Sequence, residues 1–224
     1  MSRSSDSTGV ASSVDRALAA FRRGEPVCIH DAADREGETD IVYPAGAVTP
    51  QAVAQLRNDA GGLVCVAISD EIADSFGLPF LQESIDHPVA RDHDLTYDDR
   101  SSFSLPVNHR QTETGITDED RSLTIRAIAD AAADPAGTDF AAAFRSPGHV
   151  HILRGATDLL ADRQGHTELG LALAEAAGLA PAVVVCEMLD DESNQALSPT
   201  DAASYADRHD IPYLEGAQLV ERLS

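Results

Sequence analysis

The chain contains no lysine and no tryptophan, and only 4% of its 224 residues are aromatic. Its 16 basic residues are therefore all arginines, set against 38 acids, for a formal net charge of -22. Without lysine there is no Schiff-base chemistry and no Walker-type phosphate-binding loop. The shortage of basic charge excludes a nucleic-acid footprint and argues equally against an anionic membrane surface. There is no Gly-rich dinucleotide loop and no G-x-S-x-G nucleophile elbow. The three cysteines, Cys28, Cys65 and Cys186, sit singly in apolar runs without C-x-x-C spacing. That pattern is neither a disulfide framework nor a zinc site and reads as reduced, buried thiols. No apolar run approaches the ~18 residues of a membrane span. The Ser-rich start "MSRSSDSTGVASS" lacks a signal-peptide core, so residues 1–13 are expected to form a disordered tail on a cytoplasmic protein.

What remains is 43% hydrophobic, enough for a core built mainly from Ala, Val, Leu and Ile. The acids are spread along the whole chain rather than gathered in a tail. A protein of this charge repels itself unless salt screens it, and at molar salt the screening length falls to about 3 Å. A salt-rich cytoplasm accounts for both the acidity and the missing lysine.

Helical spacing is clear in "SSVDRALAAFRRG", "TPQAVAQLRNDAGG", "TDEDRSLTIRAIADAAA", "TELGLALAEAAG" and "SPTDAASYADRHD". Between these lie strand-like runs: "PVCIHD", "DIVYPA", "LVCVAI", "SFSLPVN", "HVHILRG" and "PAVVVCEML". Strands alternate with helices, yet some strand pairs are separated only by turns. This predicts an α/β (α+β) fold, one layered catalytic domain over 14–224 with a mixed sheet flanked by helices. The polar stretch 84–101 is predicted to be a long loop of functional type.

Five places can carry chemistry. In "HDAADREGETDIVYPAG" the acids Glu36, Glu38 and Asp40 alternate, so in extended chain they share a face and can hold a hard cation such as Mg²⁺. Arg35 beside them can hold an anion. In "RQGHTELG" Thr167 is placed to cap a helix starting at Glu168, and Arg163, Gly165 and the peptide N–H groups suit a phosphate. His166 in that turn can ligate a metal. His149, just before the strand "HVHILRG", and Glu187, at the end of "AVVVC", are acid/base candidates. Thr112, Thr114 and Gly115 precede a helix capped by Thr117 and form a further anion-facing turn. Taken from the residues alone, each of these is open to a plain structural reading as well.

Together they resemble the 3,4-dihydroxy-2-butanone 4-phosphate synthase family. The resemblance runs in order through "DREGETD", "GGLVCVAI", "SSFSLPVNHRQTETGITDEDR", "SPGHVHILR", "RQGHTELG" and "VVVCEML", over residues 14 to 222. The loop "HDLTYDDRSSFS" is most similar to archaeal members. The resemblance implies a monofunctional lyase that converts D-ribulose 5-phosphate to L-3,4-dihydroxybutan-2-one 4-phosphate and formate in riboflavin biosynthesis. It implies two Mg²⁺ ions (Mn²⁺ as a substitute), both bound by Glu36 and one also by His166. It implies substrate contacts from Arg35, Glu36, Asp40, Thr114, Glu187 and the turn Arg163, Gln164, Gly165, His166 and Thr167, with His149 and Glu187 as the catalytic pair. It also implies a homodimer with its site near the subunit boundary. Gly37 and Gln164 depart from common bacterial variants, which bears on loop stiffness rather than on the reaction.

Overall fold

The structure is a computed structural model that describes residues 12–32, 35–91 and 100–224. The expected tail lies outside the described residues up to position 11. Ser12 and Ser13 belong to the fold, because Ser12 caps the first helix, α1 (Ser13–Arg22), in a reciprocal capping box with Asp15. Half of the predicted 84–101 loop, residues 92–99, is likewise outside the described residues. Its first part carries short helical turns, Leu81–Ser84 and Pro88–Ala90.

The strands are β1 (Val27–His30), β2 (Thr39–Pro44), β3 (Cys65–Ile68), β4 (Phe103–His109), β5 (Phe144–Arg154), β6 (Ala182–Glu187), β7 (Leu189–Asp190), β8 (Gln195–Ala196) and β9 (Tyr213–Glu215). Among the described residues seven of them form one sheet in the order β4-β5-β3-β6-β2-β1-β9, with β7 and β8 a separate ribbon. The pairs β3·β5 and β1·β9 are parallel and the others antiparallel, so the sheet is mixed, as predicted.

Helices cover both faces. One face carries α2 (Pro50–Gln55) and the long helix Asp118–Ala133, with Cys28, Ile41, Val66, Ile152 and Val184 beneath them. The other carries α1, the helix His166–Ala177 and the closing helix Gly216–Leu223, over Ile29, Val42, Ala67, Val183 and Val185. Strand β6 is buried on both faces, which is why "AVVVC" reads as an unbroken apolar run rather than an alternating one. Thr117, the predicted cap, accepts the expected backbone N–H of Asp120, and Thr49 caps α2 by accepting that of Ala52. Helix α2 ends earlier than its sequence pattern indicates. It loosens into a π-helical turn, Leu56–Ala60, stopped by Gly61 at φ +87°.

Two expectations are corrected. The helix predicted from Glu168 begins at His166 with Gly165 as N-cap, so Thr167 lies inside its first turn and caps nothing. His149 does not precede its strand: β5 starts at Phe144 and runs through Pro147-Gly148, placing His149 mid-strand. Strand β5 passes through Pro147 because it pairs irregularly with β4 at this point, and such an irregularity accommodates a proline.

Ile125, fully buried in the Asp118–Ala133 helix, tests this core. Ile125→Ala is expected to cost about 2–5 kcal/mol, whereas truncation of the exposed Val89 to Ala should stay within about 0.5 kcal/mol. Urea titration in constant salt measures both.

Candidate active site

The site lies where β2 begins, β6 ends and the His166 helix starts. Strand register sets Asp40 directly opposite Glu187, and both side chains share the face of Val42 and Val185. A cavity of about 280 Å³ opens there. It is lined by Glu36, Asp40, Arg163, His166, Thr167 and Glu187, by Arg100 through Phe103, and by Cys65, Leu153 and Val185.

The acidic turn is organised from beneath. Asp31, whose residue is 1% exposed, accepts the backbone N–H of Glu36 at 3.3 Å and of Glu38 at 3.1 Å, and lies 3.9 Å from Arg35 Nε. Gly37, at φ +67°, breaks the extended chain, so Glu36, Glu38 and Asp40 do not share a face. Glu38 stays outside the cluster and Asp31 takes its place. Ligand atoms of Asp31, Glu36 and His166 all lie within 4.8 Å of one another. His166 Nδ1 stands 3.6 Å from both Glu36 and Asp40. Among the described residues, His166 Nε2 and Asp40 Oδ1 are buried without a hydrogen-bond partner. Carboxylate oxygens with one imidazole and unsatisfied buried acceptors fit a hard divalent cation that keeps water or substrate in its shell.

The electrostatics agree. Burial pulls the His166 pKa down, but Asp40, Glu36 and Asp31 outweigh it and raise it to about 9. Burial pushes the Asp40 carboxyl up, against the pull of His166. Both shifts favour proton uptake, the response of a site crowded with buried carboxylates. Glu36 is held low by its bond to His166. Burial keeps the Cys65 thiol well above its ordinary value, so this cavity-lining cysteine is an inert wall and not a nucleophile.

Glu187 is fixed by the backbone of the turn after the π-helical segment. Leu63 donates its N–H to Glu187 Oε2 at 2.8 Å, and Gly62 donates to the Glu187 carbonyl. A Cβ on Gly62 would lie 2.4 Å from Oε2, so only glycine lets the chain pass this close. Gly165 lies close to two guanidiniums, its Cβ position falling 2.8 Å from Arg163 Nη1 and 3.1 Å from Arg35 Nη2, both ends of flexible side chains.

The cavity therefore gathers Glu36, Asp40, Arg163, His166, Thr167 and Glu187, with Arg35 and Gly165 beside it. Gln164 turns away toward the Leu160 carbonyl. Thr114 and His149 do not line it. The Thr114 turn is not an open anion site, because the N–H groups of Glu113, Thr114 and Gly115 already donate to the Asp120 carboxylate. His149 bonds Asn108 through both its backbone N–H and its ring. Extending the β5·β3·β6 register puts it at the same end of the sheet as Glu187, two strands or about 10 Å away.

Three contributors escaped the sequence reading. Asp31 lay in the quoted acidic run, four residues before Arg35, and that spacing was its available signal. Glu168 is buried against Arg163. Arg100, held over the Phe80 ring at 3.3 Å, is one of two arginines in a polar stretch and carried no signal.

With its pKa raised to about 9, the metal-free imidazole of His166 carries a proton at neutral pH, which Mg²⁺ would displace if it binds through that ring. Apparent affinity for Mg²⁺ is therefore expected to rise from about pH 6.5 to about pH 8.5, by up to tenfold per unit, with proton release. Calorimetry in buffers of different ionisation enthalpy reads this directly, and a pH-independent affinity would refute it.

The family model for 3,4-dihydroxy-2-butanone 4-phosphate synthase matches residues 15–222. A synthase of that name from Archaeoglobus fulgidus is 49% identical, over 92% of each chain. One from Methanothermobacter thermautotrophicus is 44% identical, over 93% of this chain and 94% of the relative. Among solved structures, the Candida albicans synthase superposes with a TM-score of 0.79 at 31% identity, covering 96% of this chain and all of that one. A synthase in complex with two magnesium ions gives 0.80 at 26% identity, over 95% and 96%. The chain belongs to the 3,4-dihydroxy-2-butanone 4-phosphate synthase family.

Proposed function

We propose that this enzyme is a lyase of riboflavin biosynthesis, converting D-ribulose 5-phosphate to L-3,4-dihydroxybutan-2-one 4-phosphate and formate. The observation that carries the reading is the convergence, in one cavity, of Glu36 and His166 with Glu187 and Arg163. The reaction conserves all atoms and needs no oxidant, which agrees with a cavity whose one thiol is inert.

Asp31, Glu36 and His166 have the donor set to hold Mg²⁺, with Mn²⁺ as an alternative, and Asp40 stands within reach. A bound pair of such ions supplies positive charge to the vicinal oxygens of the sugar. Arg35 and Arg163, facing each other across Gly165, bind and orient the phosphate, with the helix N-terminus at His166 behind them. Glu187, its carboxylate steadied by the Leu63 N–H, takes the proton α to the ketone. Leu153, Val185 and Phe103 keep that wall apolar and limit water.

We infer a homodimer in which His149 and Thr114 of one copy complete the cavity of the other. They lie outside the cavity of their own chain yet near the same end of the sheet. Leu63, Ile116 and Leu189, each close in sequence to a site residue, are 41%, 52% and 44% exposed there, an apolar surface that a second copy would cover. The charge of -22 supports the reading of a working protein in a salt-rich cytoplasm; no helix among the described residues is long and apolar enough to cross a membrane.

Labelled formate from ribulose 5-phosphate carrying ¹³C at C4, dependent on Mg²⁺, is the expected NMR result. Glu36→Gln and Glu187→Gln should each lower its rate by roughly a hundredfold or more. Folded protein that isomerises the sugar, or binds Mg²⁺ without releasing formate at any salt concentration, would refute the assignment. Light scattering should give about twice 23.7 kDa, and a His149→Ala chain mixed with a Glu187→Gln chain should recover activity through hybrid dimers.

A further inference from the structure

Glu168 is the third residue of the His166 helix, where a glutamate ordinarily folds back to cap its own helix. Here it does something else. Its residue is 0% exposed, and its side chain runs inward to two partners. Oε1 accepts the N–H of Ala156 at 3.0 Å, and Oε2 accepts from Arg163 Nη1 at 2.8 Å. Ala156 lies just past the end of β5, where Arg154 is itself clamped by Asp70 and Asp74 at 2.6 Å each. Glu168 thus joins Arg163 to a rigid corner of the sheet.

A neutral glutamine would satisfy the Ala156 N–H equally well. A buried carboxylate is a costly choice unless its charge is used, and the charge here falls on Arg163. A guanidinium recognises a phosphate through a planar fork, so its value depends on how its plane is set. The structure assigns Glu168 as the positioning residue that fixes the plane of Arg163 toward the cavity, and so sets the affinity for the phosphate end of the substrate. Asp31 is the matching device on the acidic turn, but it sits within the metal cluster itself. Glu168 is set apart from that cluster and acts on the phosphate end alone.

This inference rests on the proposed reading of Arg163 as a phosphate group, so the test carries a probe that needs no turnover. Binding of inorganic phosphate to the intact, Mg²⁺-loaded dimeric protein is measured beside steady-state kinetics with ribulose 5-phosphate. In Glu168→Gln, KM and the dissociation constant for inorganic phosphate should both rise, roughly ten- to hundredfold, while kcat stays within about threefold and Mg²⁺ affinity within about twofold. A merely structural glutamate would disturb kcat, Mg²⁺ binding and KM together, and that result would overturn the proposal.

A double-mutant cycle supplies the second arm. If Glu168 acts through Arg163, Glu168→Gln combined with Arg163→Gln should be no worse in KM than Arg163→Gln alone, within about twofold. Multiplying effects would mean that Glu168 acts elsewhere. If the glutamine variant does not fold, Glu168→Asp keeps the charge but withdraws it by one methylene. The same KM-selective loss is then expected, and an unchanged KM overturns the proposal. Wild-type protein that binds inorganic phosphate but releases no formate would refute the proposed reaction and leave the role of Glu168 standing.

Discussion

Everything at the working end of this molecule follows from how its buried carboxylates are compensated. Asp31, Asp40 and Glu168 are between 0% and 2% exposed, and a charge taken out of water at that depth needs a partner close by. Asp31 has two backbone N–H groups and the nearby Arg35, and Glu168 has one N–H and Arg163. Asp40 has His166, which also serves Glu36. One imidazole does not balance both, and the raised pKa of Asp40 marks the remaining deficit. Proton uptake removes that deficit in the metal-free protein, and a divalent cation would remove it without the proton.

The fold supplies the juxtaposition by register. Antiparallel pairing of β2 with β6 sets Asp40 against Glu187. Slipping one strand of that ladder by one residue would turn its acid into the opposite layer, away from His166. Two glycines lie beside these charges. Gly62 lets one backbone touch Glu187, and Gly165 lies close to the flexible ends of two arginines. Rigid sheet ends therefore place the acids, while bare backbone admits what must come near them. The parts left outside, His149 and the Thr114 turn, are held just as firmly by Asn108 and Asp120, so a second chain would meet a preformed surface.

Much of this was legible in the sequence, for identifiable reasons. Period-two and period-3.6 patterns located the strands and long helices, and Thr117 announced its helix start because a cap is a local property. Glu36, Asp40, His166 and Glu187, which the fold brings to one cavity, stood out in the sequence because charged groups beside apolar runs are conspicuous. The failures have a common cause. Thr167 was read as a cap because Gly165, which has no side chain, leaves no polar signature when it does the job. The alternation of Glu36, Glu38 and Asp40 assumed an extended chain that Gly37 breaks. The Thr114 turn looked like an anion site because its N–H groups were visible and Asp120, several residues on, was not seen to occupy them. Contacts that span from 5 to over 100 residues, such as Leu63 to Glu187, depend on tertiary placement and no local pattern reports them.

The acidity of the chain divides along the same line. An exposed acid is balanced by mobile ions, and at molar salt the screening length of about 3 Å disposes of its repulsion. Counter-ions in bulk do not reach Asp31 or Asp40, where the remedy is a fixed partner or, for Asp40, a proton. Two populations of acids thus occupy adjacent positions in "HDAADREGETD", one answering to solvent and one to structure. Density of charge cannot separate them, since both contribute equally to the count. Burial does, and burial is decided by where β1 ends and β2 begins. The run is acidic as the whole surface is acidic, but it is a candidate site because the sheet carries Asp31 and Asp40 below the surface and leaves Glu36 at the opening, facing His166.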